Sequence, residues 1–253
     1  MKVIAIVGSA RKRHTYQATE RFLSQLENHG DIDSEIIQLN DLTIKTCIGC
    51  QLCFEKGQEH CPLNDDLNAL VEKMQSADGV IFSTPNYAFQ MSGSMKVFLD
   101  RISYVFHRPE FFNKASSNIV AQGIYRGGQI VKYFNFIENA LGFDVVKGCC
   151  INTLEPMEDK LLHKNNNKID KLALRFMKQL NKQSKAKASL FDLMMFRVSR
   201  TRIKRMLDES FRDYTYYEEK GWFTSDFFYP VKLNGFKKFF GLCIDKLMTK
   251  LIK

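Results

Sequence analysis

Four of the seven cysteines in this 253-residue chain stand close together. Cys47-Ile48-Gly49-Cys50-Gln51-Leu52-Cys53 sets three thiols at two-residue gaps, and Cys61-Pro62 follows after seven more residues. Thiols so spaced reach one centre when the chain curls around it, and a C-x2-C-x2-C run joined by a later Cys-Pro is a pattern that ligates iron–sulfur clusters. Four cysteines also suit Zn2+, and such thiols can equally serve as packing or redox-sensitive groups without metal. On the residues alone these three readings stay open. The odd total and the lack of any sign of an oxidising compartment argue against a disulfide framework. Of the remaining cysteines, the adjacent Cys149 and Cys150 read as core, because neighbouring side chains diverge. Asp65 and Asp66 read as a charge pair at a helix start rather than as ligands.

Two other stretches carry binding chemistry. Gly8-Ser9-Ala10-Arg11-Lys12-Arg13-His14-Thr15 lies between an apolar run and a helical pattern. Amide N–H groups at a helix start, two hydroxyls and positive charge suit a phosphate monoester. With a single glycine and no Gly-Lys-Ser/Thr, the loop matches neither a dinucleotide fingerprint nor a P-loop. Ser83-Thr84-Pro85-Asn86-Tyr87-Ala88-Phe89-Gln90-Met91-Ser92-Gly93 also follows an apolar run. Its proline stiffens the turn, its amides can face the polar edge of a planar ring, and Tyr87 or Phe89 can pack on that ring. A third loop, Gln122 to Gly128, has glycines that permit close backbone approach to a ligand.

The elements that must position these loops follow from periodicity. Strands are expected at Lys2–Val7, Glu35–Leu39, Gly79–Ser83, Asn118–Ala121 and from Asp144, with helices at Thr15–Asn28, Leu67–Met74, Ser94–Phe106, Ile130–Leu141 and Lys160–Leu180. Five strands alternating with five helices predict an α/β fold, a doubly wound five-stranded parallel sheet with ligands at the carboxyl ends of its strands. The polar run Gln183–Ser189 reads as a linker, followed by helical patterns at Leu190–Phe211 and Phe236–Ile252 flanking an aromatic stretch, Tyr214–Tyr229, that holds Trp222. The expected domains are therefore 1–182 and a basic, aromatic-rich helical extension, 183–253.

In order, Gly-Ser-x-Arg with a following Thr, then Thr84-Pro85-Asn86-Tyr87 and Met91-Ser92-Gly93-Ser94-Met95-Lys96-x-Phe98-Leu99-Asp100-Arg101, resemble the NAD(P)H-dependent FMN reductases of the flavodoxin-like superfamily. The cysteine run resembles that of the iron–sulfur flavoproteins in the same superfamily. The resemblance covers about residues 1–182. It implies that Ser9, Arg11 and Thr15 hold the FMN phosphate, that the backbone of Pro85, Asn86, Tyr87 and Ala88 and the turn at Gly123 flank the isoalloxazine, and that Cys47, Cys50, Cys53 and Cys61 carry a [4Fe–4S] cluster. His14 stands where the family has an asparagine, so it either replaces that contact or faces solvent. The implied activity is electron transfer from NAD(P)H, bound transiently as a substrate, to flavin, quinone or a similar small-molecule acceptor. The alternative is a flavodoxin-like electron carrier or redox sensor fed by ferredoxin. A homo-oligomer is implied as well.

Residues up to Cys150 carry 15 Lys and Arg against 16 Asp and Glu, whereas the rest carry 22 against 12, so the net charge of +9 lies in the C-terminal part. Nucleic-acid binding is not expected, because the Phe and Tyr residues there recur at core-like spacing. Leu233–Lys253 is amphipathic and basic, which suits a cover over the binding crevice, a subunit contact or an anionic membrane surface. The short apolar start and the lack of eighteen consecutive uncharged apolar residues make a cytoplasmic location the expectation.

Overall fold

Lys2–Val7 (β1) is apolar and buried on both faces from Val3 onward, as a central parallel strand must be. In the computed structural model, which describes residues 1–182 and 188–252, it pairs in parallel with Asp33–Gln38 (β2) on one side and Gly79–Pro85 (β3) on the other. Ala115–Gln122 (β4) continues the sheet beside β3. The short strands Asp144–Val145 (β5) and Cys149–Asn152 (β6) both pair with β4, so the order is β2-β1-β3-β4 with an outer strand in two pieces. This is the doubly wound parallel sheet expected from the sequence.

The helices are His14–His29 (α1), Leu52–Glu55 (α2), Leu67–Ser76 (α3), Gly93–Arg101 (α4), Gly127–Ala140 (α5), Asp159–Leu180 (α6), Leu190–Met206 (α7), Arg212–Glu219 (α8) and Gly235–Leu251 (α9). Phe22 and Leu26 of α1 and Ile169 and Phe176 of α6 pack with Val3, Ala5, Ile81 and Ile119 on one face of the sheet. The forked pair from Arg21 to Asp170 ties these two helices together. On the other face Phe82 stacks at 6.0 Å on Phe134 of α5.

The expected fifth strand breaks between Val145 and Cys149. Ser117 Oγ donates to the Val146 carbonyl, and Gly148 passes so close to Asn118 that a Cβ there would lie 2.3 Å from its carbonyl oxygen. Cys149 and Cys150 are therefore within the sheet rather than after it. Burial, reinforced by the Cys150 thiol beside it, pushes Cys149 up to about 12, so it stays a protonated packing group.

The chain forms two compact units. The first holds Met1–Cys47 and the stretch from Asp65 through α6; the second holds Ile48–Asn64 together with α7, α8 and α9. Residues 48–64, which the sequence alone puts in the first domain, thus group with the C-terminal extension, where α2 packs on α8. Of the linker expected at Gln183–Ser189, residues 183–187 lie outside the described residues. Ser189 caps α7 in a reciprocal pair with Asp192. Trp222 belongs to the core of the second unit: its ring meets Phe196 and Tyr217 edge-on, and its Nε1 donates to the Phe228 carbonyl at 2.9 Å.

Candidate functional site

In this strand order the connections leaving β1 and β3 run to opposite faces, and a crevice opens between their carboxyl ends. Both ligand-suited loops begin there. The Gly8 N–H donates to the Ser83 carbonyl at 2.8 Å, and a Cβ on Gly8 would come within 2.6 Å of Ser92 Oγ, so only glycine lets the two loops close on each other. Ser94 Oγ donates to the Gly8 carbonyl, and the Ser92 N–H donates to Thr84 Oγ1 at 3.0 Å. The spacing of Thr84, Ser92 and Ser94 carries no helical or strand signal, and their role emerges only when the loops meet.

Ser9 is buried, its carbonyl accepting from Gln38 Nε2 at 3.0 Å and its hydroxyl donating to the Arg11 carbonyl at 3.1 Å. Gln38, a buried polar residue at the end of β2, is a support that sequence reasoning missed. Its signal was an amide where a buried strand would carry an aliphatic side chain. The α1 N-terminus has no side-chain cap, which leaves its first-turn N–H groups for an anion. Arg11, Lys12 and Arg13 are exposed around it, and Thr15 is buried. His14 Nε2 lies 2.8 Å from Glu155 Oε1 and so is engaged with a carboxylate from the loop after β6.

Beyond β3, the Asn86 N–H donates to the Ala121 carbonyl at 2.7 Å and Asn86 Nδ2 to the Tyr125 carbonyl at 3.0 Å, linking the second loop to the third. Asn86 Oδ1 is buried without a hydrogen-bond partner, an acceptor held for a donor the chain does not supply. Ala88 and Phe89 take left-handed φ values of 48° and 63°, re-aiming the turn. Tyr87, Phe89 and Tyr125 are half-exposed, and the Phe89 and Tyr125 rings meet at 5.3 Å. Around Gly123 a Cβ would meet nothing within 4 Å, so its own chain imposes no need for glycine. An uncapped helix start, an orphaned acceptor and exposed aromatic faces together suit a phosphorylated planar ring such as FMN.

The cysteine segment is pinned at both stems within the first unit. Asp66 Oδ2 accepts from the Thr43 N–H at 2.7 Å, and Asp65 Oδ2 accepts from the Lys45 N–H at 3.0 Å. Arg101 of α4 binds Asp65 with both terminal nitrogens and donates to the Lys45 carbonyl at 2.8 Å. The two aspartates therefore clamp a loop, which is more than a charge pair at the start of α3. Between the stems, Gly49 and Gln51 are left-handed, with φ of 69° and 62°, and curl the chain between the thiols. Cys47 and Cys50 are exposed, and Cys53 and Cys61 half-buried. Among the described residues, no group of three or more His, Cys, Asp or Glu side chains is gathered as a metal site. Thiolate is the donor type that iron–sulfur ligation uses.

The sequence model of a family described as NADPH-dependent FMN reductase matches residues 1–141. An iron-sulfur flavoprotein of Archaeoglobus fulgidus is 34% identical over 143 residues, 56% of this chain and 69% of that protein. One of Methanocaldococcus jannaschii is 34% identical over 130 residues, 51% of this chain and 66% of that protein. Among solved structures, an NAD(P)H:quinone oxidoreductase from Methanothermobacter marburgensis aligns with a TM-score of 0.55 at 17% identity, over 68% of this chain and 95% of its own. RosB, solved with the intermediate 8-demethyl-8-formylriboflavin-5'-phosphate, aligns with a TM-score of 0.58 at 12% identity, over 93% of this chain and 92% of its own. At these identities the structural likeness is one of fold.

Proposed function

The chain belongs to the NADPH-dependent FMN reductase family and is an oxidoreductase, and on that premise we propose that it reduces a quinone, a free flavin or a similar planar acceptor at the β1/β3 crevice. The observation that carries this reading is the meeting of an uncapped, basic helix start with an aromatic turn at the one point where the sheet's connections reverse. Ser9, Arg11 and Thr15, with the first N–H groups of α1, hold the phosphate. The backbone of Pro85, Asn86, Tyr87 and Ala88 lines the polar edge of the ring, with Asn86 Oδ1 as acceptor, and the turn at Gly123 approaches from the other side. His14, engaged with Glu155, orients the loop rather than contacting the phosphate. The exposed faces of Tyr87, Phe89 and Tyr125 receive the nicotinamide and then the acceptor, keeping water from the ring. Bound FMN supplies the hydride and single-electron chemistry, and no catalytic side chain is required. Exposed Tyr133 and Phe136 on α5 support a homo-oligomer built through the first unit.

The names of the curated relatives and the donor chemistry of Cys47, Cys50, Cys53 and Cys61 support a [4Fe–4S] cluster on the cysteine segment, which supplies single-electron transfer. Protein purified without oxygen is expected to contain iron and sulfide in proportion to flavin, and Cys50→Ser is expected to lose the iron and keep the flavin. Flavin with no iron after anaerobic reconstitution would leave the thiols metal-free.

Two measurements test the flavin reading. Arg11→Gln should weaken FMN binding roughly 10- to 100-fold, the worth of a charge-assisted phosphate contact, while leaving riboflavin affinity unchanged, as read by flavin fluorescence titration. Equal losses for both ligands would place Arg11 away from the phosphate. The second is steady-state NADPH oxidation with quinone or free flavin, which should proceed at catalytic rates; oxidation and reduction only with ferredoxin would make the protein a carrier.

A further inference from the structure

In the second unit α9 packs against α7 through its polar side. Asp245, the one acidic residue of α9, accepts from Arg197 Nη1 and Arg200 Nη2, each at 2.6 Å, and from Thr201 Oγ1 at 3.2 Å. Gly241, one turn earlier, is buried, and a Cβ there would lie 3.1 Å from the Arg197 guanidinium. Lys237 Nζ is also used inward, donating to the Ala188 carbonyl at 2.6 Å. A helix turns 100° per residue, so the side opposite Gly241 and Asp245 carries Phe236, Phe239 and Leu247, with Leu242 and Leu251 on its two flanks. Each of these is 52–69% exposed. The charges left on the exposed surface of α9 are Lys238, Lys246 and Lys250, all positive.

An exposed helix face of large apolar groups with only cations among them is costly in water and marks an interaction surface. Its charge selects the occupant. Two copies meeting across a two-fold axis would set like-charged lysines against each other. A bilayer bearing anionic lipids accepts the phenylalanines and leucines among its acyl chains while the lysines reach its phosphates. No helix among the described residues is long and apolar enough to cross a membrane, so this one would lie along the surface. We propose that the outward face of α9 docks the protein on an anionic membrane surface. The reading is independent of the flavin site, and it sets the reductase beside whatever apolar acceptor the bilayer dissolves.

The test uses the full-length, flavin-loaded protein and vesicles of phosphatidylcholine alone or mixed with phosphatidylglycerol. Sedimentation should find the protein on the mixed vesicles at low salt and not on the neutral ones, with release as salt rises. Each of Lys238→Gln, Lys246→Gln and Lys250→Gln should lower partitioning about fivefold, and Phe236→Ser with Phe239→Ser should abolish it while flavin content and helicity stay unchanged. Equal binding to neutral vesicles, no binding to either, or insensitivity to the phenylalanine changes would overturn the proposal. So would an oligomer that dissociates in the phenylalanine variant without any vesicle binding, because the face would then belong to a second copy.

Discussion

Replacing Arg101 with methionine should lower the stability of the first unit by about 3–5 kcal/mol, the usual cost of stranding a buried charge. The Arg101 and Asp65 side chains are 3% and 1% exposed, so water cannot take over for the missing guanidinium. The substitution also frees the Lys45 carbonyl, and with it the stem from which the cysteine segment departs. Adding Asp65→Leu should recover part of the loss, but not all, because the Lys45 and Leu67 N–H groups that Asp65 accepts would stay unpaired. The pH dependence gives a separate check. Burial pushes the Asp65 carboxyl up, but the Arg101 hydrogen bond and the two backbone N–H groups outweigh it and hold the acid below its ordinary value of 3.8. A depressed folded pKa stabilises above the ordinary value and loses that contribution as pH falls through the folded one. The gap between wild type and Arg101→Met should therefore be full at pH 6 and narrow in acid below 3.8. Urea unfolding followed by circular dichroism measures it, and a loss under about 1 kcal/mol would mean the pair behaves as a surface bridge.

Glu138→Gln should act in the opposite direction. Glu138 lies on α5 against β4, fully buried, with Oε2 accepting from Ser116 Oγ and Oε1 from Asn118 Nδ2, both at 3.0 Å. Burial raises its pKa from 4.5 to about 8 against the pull of those two donors. It is thus a neutral acid in the folded protein at pH 7 and an ionised one in the unfolded chain. A raised folded pKa leaves stability intact below 4.5 and erodes it as pH climbs to about 8. Glutamine escapes that erosion, its oxygen accepting from Asn118 and its amide donating to Ser116 Oγ. At about 1.4 kcal/mol per pH unit, the variant should be more stable than wild type by on the order of 4–5 kcal/mol at pH 8 and equal to it near pH 4. A wild-type stability that is flat from pH 4 to 8 would show that the carboxyl ionises in place.

Both residues illustrate what a sequence conceals. Arg101 reads as a polar position inside the helix expected over Ser94–Phe106 and Glu138 as one inside Ile130–Leu141; nothing local marks either as buried. Their partners lie 36 residues away at Asp65 and 22 away at Ser116, and a charge becomes buried only when separate elements close over it. The split of the outer strand into β5 and β6 has the same origin, in the side chains of Ser117 and Asn118 on the neighbouring strand. Residues 48–64 likewise join the C-terminal helices only once α2 meets α8.

Legible along the chain are the alternation of buried strands with one-faced helices, hence the parallel sheet, and the chemistry of the loops after β1 and β3. Strand and helix periodicity are properties of neighbours in the chain, written within ten or twenty residues. That those loops meet in one crevice follows from the same alternation; that Ser92, Ser94 and Gln38 brace it, and that the cysteine segment hangs from an Arg101–Asp65 clamp, came only with the folded chain. Each of these depends on distant residues being brought within hydrogen-bond reach, and that reach is set by the packing of the sheet and its helices, which no local pattern encodes.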